Sequence, residues 1–144
     1  MIYDMETMNY CLGLNELAEN IHKDNVDRGF YDSPRETGTM LMLIVSELSE
    51  ALEAYRKDKF VDKNDLEGEF DKEKFKEKVK DTFEDEIADA LIRILDMCGH
   101  MNIDIAKHVY QKLLSTGRAD TSTEERKYSV YFLKILKILN YVHK

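Results

Sequence analysis

"LMLIVSELSEALEAYRKD", residues 41–58, combines the pattern of a buried helix with two acids in its apolar run. At 100° per residue, one apolar stripe on this helix consists of Leu41, Ile44, Val45, Leu48, Leu52 and Tyr55. Glu47 and Glu50 fall on a second, largely apolar sector. An ionised carboxylate away from water is unfavourable unless a positive group compensates it. The pattern therefore predicts a helix that packs on two sides and turns its acids toward one partner.

A second stretch, "FEDEIADALIRILDMCGH" at residues 83–100, repeats this arrangement. Its predicted core stripe consists of Phe83, Ile87, Ala90, Leu91, Ile94, Met97 and Cys98. The narrow polar stripe beside it consists of Glu86, Asp89, Arg93 and Asp96. Glu86 and Asp89 repeat the spacing of the first acid pair, about 4.5 Å along the axis. Each pair alone is typical of a solvated helix face, but two pairs on apolar-flanked faces favour a shared site.

Neighbouring helices would bring these four carboxylates together, and their repulsion then requires either protonation or bound cations. Hard divalent cations such as Mg²⁺ take oxygen ligands of this kind. A metal site between the two helices is therefore one interpretation, and a charged surface is the other.

The composition predicts a single all-α domain over residues 1–144. The chain has one proline and six glycines, which favours long helices. Its net charge of −8 argues against a nucleic-acid polymer as partner. The longest apolar run, "MLMLIV", is too short to span a membrane, and the acidic N-terminus is unlike a signal peptide. Cys11 and Cys98 lack metal-site spacing, so we expect reduced thiols and a cytoplasmic protein.

Five helices in an antiparallel bundle are expected, over about 5–22, 35–57, 72–98, 102–114 and 123–142. The first four belong to a core at about 5–116. Pro34 is expected near the first turn of the second helix, and Asn102 is expected to cap the fourth. The charged stretch at 59–82 is predicted to be a solvated connection that becomes helical near Lys72. The wide apolar face of the last helix favours a homodimer or homotetramer.

Between residues 15 and 112 the chain resembles the MazG-like all-α nucleoside triphosphate pyrophosphohydrolases. The family motif, ExxE on one helix and ExxD on the next, is matched by Glu47, Glu50, Glu86 and Asp89. "GFYDSPR", "SELSEALEA" and "EIADALIRILD" extend the match. The resemblance implies a helical core shared between subunits. It also implies Mg²⁺, with Mn²⁺ as a substitute, at the four acids, and cleavage of a (d)NTP to (d)NMP and pyrophosphate.

In such a reaction the metal activates a water that attacks phosphorus, and Glu47 or Glu50 takes up its proton. The candidates for substrate contacts are His22, Asn25, Phe30, Tyr31, Arg93, Lys112 and Arg118. Each has a simpler alternative. Phe30 and Tyr31 can be hydrophobic staples, His22 and Asn25 can be helix-end hydrogen bonders, and the cations can be solvated. For Arg93, a salt bridge to Asp89 or Asp96 is the favoured alternative.

Two other classes of protein are alternatives to a pyrophosphohydrolase. Ferritin-like di-metal proteins need two Glu-x-x-His motifs, and this chain has one, from Glu19 to His22. The other class is a non-catalytic helical module that binds nucleotides or a partner protein. The four intact acids favour the enzyme.

Overall fold

The computed structural model describes the backbone of residues 5–116 and the side chains of Cys11 and residues 13–116. Its helices are α1 (Met5–Asp27), α2 (Thr37–Arg56), a 3₁₀ turn (Lys63–Leu66), α3 (Lys72–Lys78), α4 (Phe83–His100) and α5 (Ile105–Ser115). No strand occurs in this range, so the expected all-α class is confirmed for it. None of these helices is long and apolar enough to cross a membrane. The helix expected at 123–142 lies outside the described residues.

The chain divides into two compact units, and α1 contributes to both. Of the described residues, 5–16 and 104–116 belong to one unit and 17–103 to the other. In the first unit the Asn15 side chain donates to Asp104 Oδ1 at 2.9 Å and accepts from the Ala106 amide at 3.0 Å. The Asn15 side chain therefore ties the start of α5 to α1. The second unit contains both acid motifs.

α2 and α4 form an antiparallel pair that makes the main helix contact of the second unit. Beyond the end of α2, the Lys59 carbonyl accepts from the Phe83 amide at the start of α4, at 2.9 Å. Further along the pair, Arg93 of α4 reaches Glu47 of α2. The expected neighbourhood of the two acid-bearing helices is thus observed.

The face that α2 buries is not its expected core stripe. Its buried residues are Met40, Ile44, Glu47, Ala51 and Ala54, which include most of the sector that carries the acids. In the expected stripe, Leu41, Val45, Leu48 and Leu52 are 47–48% exposed and Tyr55 is 60% exposed. Ile87 and Leu91 of α4 are likewise exposed. The core-stripe prediction is wrong for most of these residues within one chain, because small alanines rather than leucines line the contact between the helices.

Three helices end in the same motif, with a residue in the left-handed region just past the helix. These residues are Gly29 (φ 80°), Asp58 (φ 55°) and Asn102 (φ 53°). The amide after each one donates back to the helix: Phe30 to the Asn25 carbonyl, Lys59 to Ala54, and Ile103 to Cys98, at 2.9–3.0 Å. Asn102 therefore ends α4 and does not cap α5. The N-cap of α5 is Asp104, whose side chain accepts from the Lys107 amide at 3.1 Å.

Three other boundaries also differ from the expected ones. α1 continues to Asp27 instead of ending near His22. α2 starts only at Thr37, because the Arg35 side chain donates to the Phe30 carbonyl and Glu36 remains extended. The helix expected over 72–98 is interrupted between α3 and α4. Asp81 adopts a φ of 60° there, and Thr82 caps α4 by accepting from the Asp85 amide at 3.4 Å.

Gly99 marks a close approach of α4 to α1. A Cβ added there would lie 2.6 Å from the Ala18 carbonyl oxygen and 2.7 Å from His22 Cβ, so one helix would have to move.

We expect Gly99→Ala to lower the free energy of unfolding by about 1–3 kcal/mol, as overpacking does. Gly38→Ala in the first turn of α2 is the control, because nothing lies within 4 Å of a Cβ added there. That change should leave stability equal or raise it by up to about 1 kcal/mol. Urea unfolding measures both, and equal effects would contradict the close approach.

Candidate metal centre

Three of the four motif acids converge between α2 and α4. One carboxylate oxygen from each of Glu47, Glu86 and Asp89 lies within 4.8 Å of the other two. Glu47 and Glu86 are buried, with 7% and 5% of their surfaces exposed, whereas Asp89 is exposed. The cluster therefore extends from the buried helix contact to the surface of the second unit.

Small residues one turn away from the acids make this placement possible. Ala51 follows Glu47 by four residues and Ala90 follows Glu86 by four, so each alanine shares a helix face with its acid. Both alanines are almost fully buried. Without a large side chain to separate the helices there, the two backbones approach and the carboxylates enter the same gap. Glu86 also lies in the first turn of α4, where the helix dipole favours a negative charge.

Glu50 does not join the three converging acids. Its side chain is exposed, and none of its oxygens belongs to the cluster within 4.8 Å. Its charge nevertheless acts on the cluster, because among the neighbouring charges it contributes most to the raised pKa of Glu86. Glu50 therefore lies beside the convergent acids on the solvent side.

Two of the three convergent acids, Glu86 and Asp89, have raised pKa values. Burial, followed by the charges of Glu50, Glu47 and Asp89, raises the pKa of Glu86 from 4.5 to about 7. Burial also raises the pKa of Asp89, as do Asp85 and Glu47, whereas Arg93 acts in the opposite direction. At neutral pH the cluster must therefore either retain protons or gain positive charge.

One positive side chain already reaches the cluster. Arg93 Nε donates to Glu47 Oε1, across the contact between the helices. The expected salt bridge of Arg93 to Asp89 or Asp96 on its own helix is therefore wrong. The buried Glu47 carboxylate has little water to solvate it, so it gains most from the guanidinium. Among the described residues, this is the only ion pair that any of the four motif acids makes.

The donor set fits a hard divalent cation. All three convergent ligand atoms are carboxylate oxygens, which Mg²⁺ and Mn²⁺ prefer. No histidine or cysteine belongs to this group, as a typical zinc site would require. Glu86 adds a second reason, because the neighbouring charges that raise its pKa are all carboxylates and it makes no ion pair among the described residues.

His22 and Tyr31, two of the expected substrate contacts, form an aromatic cluster with Asp96 and His100 of α4, separate from the acids. His22 Nδ1 is 3.0 Å from Asp96 Oδ1. The Tyr31 ring stacks on His100 with 4.7 Å between centroids, and the Arg35 guanidinium lies 5.6 Å from the Tyr31 centroid. Asp96 follows Asp89 by seven residues, about 10 Å along the same helix face. The aromatic cluster therefore continues the polar stripe that begins at the acids.

The Tyr31 hydroxyl is buried without a hydrogen-bond partner among the described residues. Burial, with the nearby Asp96 carboxylate as the next cause, raises the pKa of Tyr31 to about 12. The protonated hydroxyl and Asp96 are therefore close neighbours, although they do not meet hydrogen-bond geometry.

Phe30 is half-exposed, and Asn25 is half-buried, with its carbonyl engaged at the end of α1. Lys112 is exposed on α5 in the other compact unit, and Arg118 lies outside the described residues. His100 was not among the expected contacts. Its spacing of four from Asp96 places it on the polar stripe, and that spacing is the signal that could have identified it.

Comparison of the chain with protein-family models, curated proteins and solved structures finds no match.

The raised pKa of Glu86 predicts that stability depends on pH. The folded chain holds a proton on Glu86 between about pH 4.5 and 7 that the unfolded chain releases. The free energy of unfolding, measured with chelator, should therefore fall by about 1–3 kcal/mol as the pH rises through this window. Asp89, whose pKa is also raised, adds a change of the same sign.

Glu86→Gln should remove most of this decline and should exceed the wild type in stability at pH 8. Glu77→Gln, at an exposed position on α3, is the matched control and should keep the wild-type profile. Urea unfolding at several pH values measures all three proteins. Parallel profiles for the wild type and Glu86→Gln would show that Glu86 has no raised pKa.

Proposed function

We propose that this chain is a Mg²⁺-dependent nucleoside triphosphate pyrophosphohydrolase of the MazG-like type, which converts (d)NTP to (d)NMP and pyrophosphate. The observation that carries the proposal is the convergence of Glu47, Glu86 and Asp89 where two antiparallel helices meet. The motif resemblance of the sequence supports the same chemistry. Mn²⁺ is expected to substitute for Mg²⁺.

The charges of the substrate and the site explain why a metal is needed. A triphosphate carries several negative charges, and an acidic cluster in a chain of net charge −8 repels it. Bound Mg²⁺ would supply positive charge, polarise the phosphoryl group and lower the pKa of a bound water. Glu47, Glu86 and Asp89 are the residues that would hold it.

We assign the general base to Glu50. It lies beside the three convergent acids without belonging to them, and its side chain is exposed to water. Its carboxylate takes the proton of the attacking water while the water oxygen bonds to phosphorus. The anhydride bond between the α- and β-phosphates breaks, and pyrophosphate leaves.

The aromatic cluster is the proposed neighbour of the nucleoside. It lies about two helix turns from Asp89 on the same polar stripe, as a base joined to the bound phosphates requires. The Tyr31 hydroxyl is a donor there with Asp96 as its near neighbour, and the exposed Phe30 ring is available for stacking. His22 and Asn25 remain candidates for polar contacts with the base. A cytoplasmic location is part of the proposal and is supported by two free cysteines.

We further propose that a second copy of the chain covers the exposed apolar stripe of α2, as in a homodimer or homotetramer. The stripe residues, Leu41, Val45, Leu48, Leu52 and Tyr55, follow the 4-3-4-3 spacing of helices that pack on another helix. By helical angle, Ile87 and Leu91 lie on the same side of the antiparallel pair and widen this face. A surface of this size is unusual on a monomer.

Substitutions of the acids should separate metal binding from catalysis. Asp89→Asn should abolish both Mn²⁺ binding and pyrophosphate release, because it removes a ligand. Glu50→Gln should abolish turnover while it weakens Mn²⁺ binding less than Asp89→Asn does, because Glu50 acts on the water and is not a ligand. Glu53→Gln, on the exposed face of α2, is the control and should retain activity.

A panel of nucleoside triphosphates with Mg²⁺, with and without chelator, provides the assay for pyrophosphate. Turnover that persists in both the Asp89→Asn and Glu50→Gln proteins would refute the assignment. So would hydrolysis that a chelator does not stop. Nucleotide binding without any hydrolysis would instead favour the non-catalytic module.

Charges in the α2 stripe should break the assembly. Leu48→Glu combined with Leu52→Glu places two carboxylates in the proposed contact, and we expect a monomer at micromolar concentration. Met42→Glu is the control, because Met42 is exposed on α2 but lies off the stripe. Light scattering after size-exclusion chromatography measures the mass. A monomeric wild type, or a double variant with wild-type mass, would exclude this interface.

A further inference from the structure

Arg93 and Glu47 form an ion pair whose partners differ sharply in their freedom to move. The Glu47 side chain is 9% exposed and is held in the contact between α2 and α4. The Arg93 side chain is 42% exposed, so its guanidinium can leave and become hydrated. The arginine is therefore the partner that is free to leave the pair.

The guanidinium compensates the acid cluster in part. It pairs with Glu47 directly and lowers the pKa of Asp89. Glu86 makes no ion pair among the described residues. One positive charge among four motif acids thus leaves a net negative site that still attracts a cation.

A divalent cation bound at these acids would compete with the Arg93 guanidinium for the carboxylate oxygens of Glu47. Arg93 already pairs with a carboxylate oxygen of Glu47 that the cation would need, and at a few ångströms the two positive charges would repel each other. We infer that Arg93 is a built-in competitor of the metal, which holds Glu47 until a divalent cation displaces it. This inference rests on the metal site of the proposed function, but not on the hydrolysis.

The exchange keeps the buried Glu47 carboxylate compensated throughout, first by arginine and then by metal. The displaced guanidinium stays tethered one helix turn from Asp89, at the edge of the site. A planar guanidinium there suits phosphate oxygens, to which it donates two parallel hydrogen bonds. Arg93 is therefore expected to pass from the protein's carboxylate to the substrate's phosphates.

Mn²⁺ binding tests the competition directly. Isothermal titration of the full-length protein with Mn²⁺, without nucleotide, compares the wild type with Arg93→Met, which keeps an apolar stem without the charge. We expect Arg93→Met to bind Mn²⁺ about tenfold more tightly at low salt, and the gain to shrink at high salt. Arg93→Lys should stay closer to the wild type. Arg56→Met, which removes a cation from the end of α2, should not change the affinity.

Circular dichroism checks the fold, and Arg93→Gln serves as the neutral variant if Arg93→Met does not fold. Unchanged or weaker Mn²⁺ affinity in the folded neutral variant overturns the inference, because Arg93 would then be a bystander or a support for Glu47. A wild type that binds no Mn²⁺ overturns both the inference and the metal site. Tight Mn²⁺ binding without hydrolysis of any nucleotide overturns the proposed function alone.

A kinetic measurement separates competition from a purely structural role. If Arg93 passes to the phosphates, Arg93→Met should raise the KM for nucleotide while it tightens Mn²⁺ binding. A structural defect would weaken both. Parallel weakening therefore also overturns the inference.

Discussion

The contact between α2 and α4 buries two carboxylates, and the other features of the second unit follow from that burial. Glu47 and Glu86 lose water where the helices meet, beside alanines that let the backbones approach. Burial and the repulsion between the acids raise the pKa of Glu86 to about 7. The buried charge of Glu47 attracts the guanidinium of Arg93. A contact made only for stability would place apolar side chains here, since a buried charge is unfavourable. The electrostatic cost is explained if the site serves to bind a cation.

The same contact accounts for the exposed apolar stripe. α2 carries two apolar sectors, and packing the acid-bearing sector against α4 turns Leu48, Leu52 and their stripe neighbours outward. One chain cannot bury both sectors with the helices described. The proposed cation site and the proposed subunit interface are therefore two consequences of the orientation of α2 about its own axis. A change that rotates α2 would alter both together.

The spacing of the sequence predicted α2 and α4, their pairing and the acids at their contact, because helical periodicity is a strong local signal. It did not predict which face of α2 is internal, since both sectors are apolar and only alanines allow the close approach. Asn102 was misassigned because asparagine suits both a helix N-cap and the left-handed residue after a helix. The pairing of Arg93 with Glu47 depends on the contact between two helices and has no signature within either one. His100 was overlooked because its role depends on Tyr31, which is distant in sequence.

Paramagnetic Mn²⁺ tests most directly whether the acids at the contact between α2 and α4 bind a divalent cation. In nuclear magnetic resonance spectra of the ¹⁵N-labelled protein, substoichiometric Mn²⁺ broadens the amide signals nearest to the bound ion. We predict that the signals around Glu47, Glu86 and Asp89 disappear first and that Mg²⁺ in excess restores them. Broadening centred on the exposed acids of the segment between α2 and α4, such as Asp62 and Asp71, would show only binding to surface charge and would contradict the account.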